Sequence, residues 1–358
     1  MAGLAAPAGA GDDGGARRVR PLNVVTPRAS AAPTGLTPAQ VKAAYGFPTA
    51  YKAGAGKTIA IVIPYHHPTL EADLKVFSKT FGLRPCTRAN YCLKIVNHRG
   101  GKDYPSTSTL WAKEAALDVQ WAHAIAPGAK ILVVEAKSDR LRDVLKAEDY
   151  ATSHASYVSN SLGLAEFAGQ SEHNWHFKRP GVSIFVASGD DGDTPNYPAT
   201  APGVIAVGGT TLVDIGKPTF AEKGWRGSGG GCSAYEKAPT AQAAFAGYGA
   251  TNCGGKRATP DVALVADPRS GVSVYSSYMS DLPWLTLGGT SAAAPMWAAR
   301  SAIAGLKVSA DLLYGPAPPI PFRDITSGDN GLPAKPGFDL VTGFGSWADA
   351  AAPSVPVA

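Results

Sequence analysis

The 358-residue sequence lacks several features, and each absence excludes something. No apolar stretch approaches the roughly 20 residues that a helix needs to cross a bilayer, so no membrane partner is expected. The net charge of +5 is spread along the chain. Its one short basic run, Arg17-Arg18-Val19-Arg20, lies in a polar stretch, so there is no basic stripe of the kind that binds nucleic acid. The first residues hold no basic region followed by an apolar core, and no signal peptide is read there. Cysteine is scarce. The four residues Cys86, Cys92, Cys232 and Cys253 contain no Cys-x-x-Cys spacing of a zinc or redox motif. They form two locally spaced pairs. Of the three possible connectivities the local one, Cys86–Cys92 with Cys232–Cys253, is simplest and favours an oxidising compartment; four free thiols in a cytosolic protein are the alternative. None of the seven histidines stands in a His-Gly-Thr context, and no Gly-x-Ser-x-Gly elbow surrounds Ser291.

What is present points to an α/β scaffold with many tight loops. Glycine (41) and proline (29) are both abundant. Near-continuous Val/Ile runs at 58–63, 130–135, 182–188 and 204–207 read as buried strands, with shorter strands at 92–97, 157–161 and 272–275. Helical patterns separate them at 69–81, 110–124, 141–154 and 291–306, and Thr37-Pro38-Ala39-Gln40 is a capping box with proline at the first helical position. Alternating strands and helices predict a mainly parallel β-sheet with helices on both faces. Residues 1–35, rich in Ala, Gly, Pro and Arg, are expected to be a disordered leader or prosegment remnant, and 36–358 to be one catalytic domain.

Three local patterns carry chemistry. Ser291 follows Gly288-Gly289-Thr290 and precedes a helix, so free N–H groups and the helix dipole favour negative charge beside it. Pro295 is expected in the first turn, where it removes no hydrogen bond. Glu114 and Asp118 are four apart on a helix face shared with Trp111, Ala115, Ala122 and Ile125. Burial and repulsion would hold a proton between them, and such a pair can do the work of a histidine base. Ser188-Gly189-Asp190 directly follows a buried strand, where catalytic groups of open α/β sheets collect. A protonated Asp190 could donate to an oxyanion. An N-cap serine, a solvated acidic face and an Asp-Gly turn are the structural alternatives.

Together these residues resemble the sedolisins, or serine-carboxyl peptidases, which have a subtilisin-like fold. The matching motifs run in family order across nearly all of 36–350: Glu114-x-x-x-Asp118 with Ala126-Pro127-Gly128; Ser188-Gly189-Asp190; Tyr197-Pro198-Ala199; Gly227-Ser228-Gly229-Gly230-Gly231; Pro260-Asp261-Val262; and Gly289-Thr290-Ser291-Ala292. The resemblance implies Ser291 as nucleophile, Glu114 as general base then acid, Asp118 as the partner sharing its proton, and Asp190 in the oxyanion hole. It implies that Ser161, Leu162 and Gly163 line an extended substrate. It further implies one calcium ion in a loop at about 322–345, held by the carboxylates of Asp324 and Asp339 and the carbonyls of Ile325, Lys335 and Gly337. Lys335 stands where the family usually has glycine. His67 stands where some members extend the acid chain with glutamate, and some members have tryptophan near Leu162. The large N-terminal prosegment of most members is not seen in this sequence, so either a different maturation route or a shortened chain is expected. The expectation is a secreted, monomeric peptidase acting on peptide or protein substrates at acid pH, by internal cleavage or tripeptide release. A silent peptide-binding cleft and a histidine-based hydrolase are the competing readings.

Overall fold

The computed structural model describes residues 17–25, 29–215, 220–350 and 352. Its first strands are β1 (Arg20–Pro21), β2 (Val24–Val25), β3 (Thr58–Pro64), β4 (Leu93–Asn97), β5 (Lys130–Ala136), β6 (Tyr157–Asn160), β7 (Leu162–Ala165), β8 (Ser183–Ala187) and β9 (Asn196–Tyr197). The remainder are β10 (Ile205–Val213), β11 (Ala221–Gly224), β12 (Gly231–Lys237), β13 (Lys256–Thr259), β14 (Val262–Val265), β15 (Val272–Tyr275), β16 (Trp284–Gly288), β17 (Phe322–Arg323) and β18 (Ser346–Trp347). The helices are α1 (Pro38–Tyr45), α2 (Leu70–Thr80), α3 (Thr109–Ile125), α4 (Leu141–His154), α5 (Thr240–Ala244), α6 (Thr290–Ala304) and α7 (Ala310–Leu313).

A ten-stranded sheet runs β17-β18-β14-β10-β8-β6-β3-β5-β4, with β11 on β10. All pairings are parallel except β10/β11 and β17/β18. Helices cover both faces, as the alternating pattern requires, because a parallel sheet must bury both sides. The chain runs from β3 to the edge strand β4, returns to β5 between them, and then crosses to the other side of β3 for β6 and β8. The carboxyl ends of β6 and β8 therefore open beside the point where the order reverses, the usual crevice of such sheets. Ser161 follows β6 and Asp190 follows β8.

Helix α3 is buried almost all round, from Trp111 to Ile125, with only Lys113 partly exposed. A helix buried on all sides belongs inside a large fold. It packs on α6 on one side. On the other, Trp121 Nε1 and Gln120 Nε2 donate to the carbonyls of Ser273 and Tyr275, tying α3 to β15. A solvated acidic face around Glu114 is thereby ruled out: both Glu114 and Asp118 are fully buried. The capping box forms at Thr37 and Gln40. Both local cysteine pairs are bonded, Cys86–Cys92 and Cys232–Cys253.

Two expectations need correction. Within the tail expected over 1–35, the described residues 17–25 are ordered: β1 pairs antiparallel with β7, and β2 with β16. Low complexity hid this, because the buried anchors Val19 and Leu22 are too few to make a periodic pattern. Pro295 lies in the second turn of α6, not the first. The hydrogen bond it removes is the one to the Ser291 carbonyl, and the Ser161 hydroxyl lies 3.3 Å from that oxygen instead.

Candidate active site

Gly289 sets the position of Ser291. Its φ of +95° is a conformation that suits glycine, and a Cβ there would sit 2.3 Å from the Leu22 carbonyl oxygen and 2.6 Å from Asp190 Oδ2. The turn delivers Ser291 as the second residue of α6, where its backbone N–H has no intrahelical acceptor. That N–H donates instead to the Leu22 carbonyl at 3.0 Å. Ser291 is fully buried, and its Oγ donates to Glu114 Oε2 at 3.0 Å. Among the described residues no histidine reaches it. His67, in the position noted for the outer acid, meets Asp73 at 3.3 Å, and burial lowers its pKa to about 4.

Glu114 Oε2 also accepts from Asn23 Nδ2 at 2.8 Å, while Asp118 Oδ1 lies 2.7 Å from the Ser161 hydroxyl. Glu114 Oε1 and Asp118 Oδ2 are buried with no hydrogen-bond partner among the described residues. Burial first, then repulsion from Asp118, holds the Glu114 carboxyl well above the usual carboxylate range, against the opposing hydrogen bonds from Asn23 and Ser291. Burial raises Asp118 likewise, opposed by Ser161. A buried pair in this state keeps at least one proton. With that proton on Asp118, Asp118 donates to Ser161 and frees the Ser161 hydroxyl for the Ser291 carbonyl that Pro295 leaves open.

Asp190 caps the same helix. Its Oδ1 accepts from the Thr290 N–H at 2.8 Å and the Thr290 hydroxyl at 2.9 Å. Burial pushes its pKa up to about 7, against the pull of those hydrogen bonds. Ser291, Glu114, Asp118 and Asp190 are thus brought together from α6, α3 and the end of β8. Leu162 and Gly163 pair with Pro21 and Arg20, as an edge that takes an extended chain would. Ser161 contributes no such pairing; its side chain turns to Asp118. Asn23 and Thr290 were missed from sequence. Thr290 had a signal in its place between Gly289 and Ser291, whereas Asn23 lies in low-complexity sequence and had none.

The C-terminal loop holds its two acids differently. Asp339 is buried, and its carboxylate accepts backbone N–H groups from Lys335, Val341 and Thr342. Exposed Asp324 accepts from Gly337 N at 2.8 Å, so both acids grip the 335–337 turn. Among the described residues Asp339 has no cationic side chain at ion-pair distance, and burial raises its pKa to about 6. Lys335 Nζ points away to the Ala250 carbonyl at 3.1 Å, so its charge does not occupy the loop. Two carboxylates without a cationic partner, on one carbonyl-bearing turn, fit a hard cation. The one three-residue cluster of His, Cys, Asp or Glu found at metal-binding distance among the described residues is Cys86, Cys92 and His123, and its sulfurs are already joined.

Comparison with known proteins places this geometry. The model of the subtilase family matches residues 107–308, more than half of the chain. The chain belongs to the subtilase family. Within it the similarities are to sedolisins. Kumamolisin of Bacillus sp. (strain MN-32) is 32% identical over 88% of this chain and 63% of its own length. The chain therefore spans less than two thirds of that relative. A tripeptidyl-peptidase of Aspergillus fumigatus is 32% identical over 46% of this chain and 34% of its own length. The solved structure of Pseudomonas sedolisin, a serine-carboxyl proteinase complexed with two molecules of pseudo-iodotyrostatin, superposes with a TM-score of 0.72 at 25% identity. It covers 88% of this chain and 96% of that one. These findings support the sedolisin family and the subtilisin-like fold expected from the motifs.

Proposed function

We propose that this chain is a serine-carboxyl peptidase that hydrolyses peptide bonds through an acyl-enzyme at acid pH. The observation that carries the reading is the 3.0 Å hydrogen bond from Ser291 Oγ to Glu114 Oε2, a carboxylate where other serine peptidases use histidine. Glu114 takes the Ser291 proton as Oγ attacks the carbonyl carbon. The Ser291 N–H and a neutral Asp190 stabilise the oxyanion. Glu114 then returns the proton to the leaving amine, and water repeats the sequence on the ester. Asp118 holds the second proton of the pair, kept in place by Ser161. Acid pH follows from the chemistry: Asp190 must be neutral to donate, and ionising it as pH rises through about 7 removes the donor.

The substrates are peptides or unfolded proteins lying along Leu162 and Gly163. One calcium ion in the 322–345 loop, on Asp324, Asp339 and the carbonyls of Ile325, Lys335 and Gly337, would clamp that loop as a structural ion and take no part in bond cleavage. Secretion is supported by the two disulfides, which persist in oxidising compartments. No helix among the described residues is long and apolar enough to cross a membrane.

A pH–rate profile on a mixed peptide library, for the wild type and Glu114→Gln, tests the reading. Acid-limited hydrolysis that collapses in the variant is expected. Hydrolysis that peaks at neutral pH and ignores Glu114 would overturn it in favour of a histidine base; peptide binding without turnover at any pH would favour a silent cleft.

A further inference from the structure

Cys86, Cys92 and His123 form a cluster that the cleft does not use. One ring nitrogen of His123 and the two sulfurs lie within 4.8 Å of one another, and all three residues are buried. His123 comes from the last turn of α3, Cys92 directly precedes β4, and Cys86 stands six residues earlier.

The imidazole is in the form that binds a metal. Its Nε2 lies 2.7 Å from the Arg84 carbonyl oxygen. A carbonyl only accepts, so Nε2 carries the hydrogen and the lone pair is on Nδ1. Nδ1 is buried and has no partner among the described residues. Burial lowers the His123 pKa to about 4, opposed by the Arg84 carbonyl and helped by the charges of Lys42 and Arg84, so the ring is neutral even at mildly acid pH. A neutral imidazole whose other nitrogen is fixed by a carbonyl is the usual metal ligand. The two nearby cations also favour thiolates beside it.

The two cysteines are held side by side by more than their own bond. Asn90 ties both ends of the 86–92 loop. Its Nδ2 donates to the Pro85 carbonyl at 2.9 Å, and its Oδ1 accepts from Thr87 N at 3.0 Å and Cys92 N at 3.1 Å. Leu93 N–H donates to the Thr87 carbonyl at 3.1 Å, and Glu71 accepts the Arg88 N–H at 2.8 Å. The second pair, Cys232 and Cys253, has no histidine or carboxylate in reach as a third ligand among the described residues.

We propose that Cys86, Cys92 and His123 are a zinc site that opens when their disulfide is reduced, so that the bond and the ion exclude each other. The reductant is a dithiol. It gives two electrons and two protons to the Cys86–Cys92 bond, which breaks into two thiols while the reductant closes its own disulfide. Zn2+ then bonds to each sulfur, displacing the two protons, and to His123 Nδ1. Two thiolates and an imidazole suit zinc, whose tetrahedral preference leaves a fourth place. The Ala129 carbonyl oxygen lies 3.5 Å from Cys92 Sγ to fill it. The sulfurs must part by about 1.7 Å to span the ion, a change within the reach of side-chain rotation. Protons compete for the sulfurs, so the site serves the reduced chain near neutral pH. It does not depend on the reading of Ser291 as nucleophile.

The test uses the full chain, reduced by a dithiol without denaturant, freed of it in the absence of air, and titrated with Zn2+ at neutral pH against a coloured chelator. One zinc on the reduced chain, and none at the same concentration on the oxidised chain, is expected. His123→Gln keeps both thiols and should weaken binding by about a hundredfold, the scale of one ligand in a structural site. The double variant Cys232→Ser with Cys253→Ser loses the other disulfide and should bind zinc as the wild type does, which separates loss of the site from loss of a disulfide. Zinc at about a hundred times its Kd should slow the re-formation of Cys86–Cys92 by oxidised glutathione by about tenfold or more and leave Cys232–Cys253 unaffected, as read by peptide mass mapping. No zinc on the reduced chain, equal affinity in His123→Gln or in the oxidised chain, protection of both pairs alike, or a Cys86–Cys92 bond that the dithiol does not open overturns the proposal.

Discussion

Two sets of buried acids in this molecule have opposite surroundings. Asp261, at the start of β14, accepts Arg257 through both oxygens, the Ala206 N–H at 2.7 Å and the Tyr314 hydroxyl. Glu222, on β11, accepts Tyr45 at 2.8 Å, Thr210 at 2.6 Å, Ser346 at 2.8 Å and Arg323 at 2.8 Å. Each of these carboxylates has a cation and a full set of donors. Glu114 and Asp118, equally buried, have among the described residues no cation at ion-pair distance and one unpartnered oxygen apiece. Burial of an ion is unfavourable unless it is paired. The first set satisfies that rule and ties the sheet to α1, α7 and the C-terminal strands. The second breaks it, and the cost appears as raised pKa values. Of these four acids, we read the matched pair as scaffold and the unmatched pair as chemistry; Glu148 on α4, buried with both oxygens unpartnered among the described residues, lies outside that distinction.

Removing the proposed nucleophile breaks the comparison most visibly. Ser291→Ala should lower kcat by about a millionfold, and Glu114→Gln by roughly a hundred- to ten-thousandfold, both read from steady-state hydrolysis. The same amide-for-acid change should separate the two sets in stability. Asp261→Asn leaves the Arg257 guanidinium buried without its anion and should cost about 3–5 kcal/mol in urea unfolding. Glu114→Gln should cost nothing at neutral pH and gain stability. The sign follows from the raised pKa: the Glu114 contribution is complete below the ordinary carboxylate value and is lost as pH rises through the folded one. The variant's advantage should therefore vanish at acid pH. Equal losses from both substitutions would show that the two sets do not differ.

Asp190 lies between the sets, partly satisfied by Thr290 yet still raised to about 7. Asp190→Asn keeps a neutral donor at every pH. The fall of kcat/KM through about pH 7 should therefore disappear from its profile, whereas Asp190→Ala, which removes the donor, should lower kcat by about a hundred- to a thousandfold.

Much of this was legible in sequence because the site is built from local rules. Glu114 and Asp118 are joined by helix periodicity, and Asp190 by its place after a Val/Ile strand. Ser291 is marked by glycines that only a close approach explains. The strands and helices of the parallel sheet fell within a few residues of expectation for the same reason. What could not be read is non-local. Residues 17–25 carry no periodic pattern, and their structure comes from edges contributed by 162–163 and 287–288, well over a hundred residues away. Pro295 was misplaced because α6 begins at Thr290, which makes Pro295 its sixth residue and puts it in the second turn. The second task of Ser161, holding Asp118, is invisible without the fold.

The smallest expected effect concerns Asp339, an unmatched acid outside the cleft. Its carboxylate has backbone N–H partners but no cation, and its pKa rises to about 6. If the rule above held without exception, Asp339 would be chemistry, yet it lies on the C-terminal loop and bonds to no residue of the Ser291 centre. A calcium ion would resolve the conflict by matching it. Calcium saturating to about a hundred times its Kd should then stabilise the fold by about 2.7 kcal/mol. Thermal unfolding should show a midpoint that falls by several degrees in chelator and returns with calcium. Ligation needs the ionised carboxylate, so the calcium effect should weaken as pH falls through about 6. Asp339→Asn should erase the response while leaving the Ser291–Glu114 geometry in place. A midpoint indifferent to chelator and calcium would leave Asp339 as a buried acid that is neither paired nor catalytic, and would limit the distinction between matched and unmatched acids to the cleft.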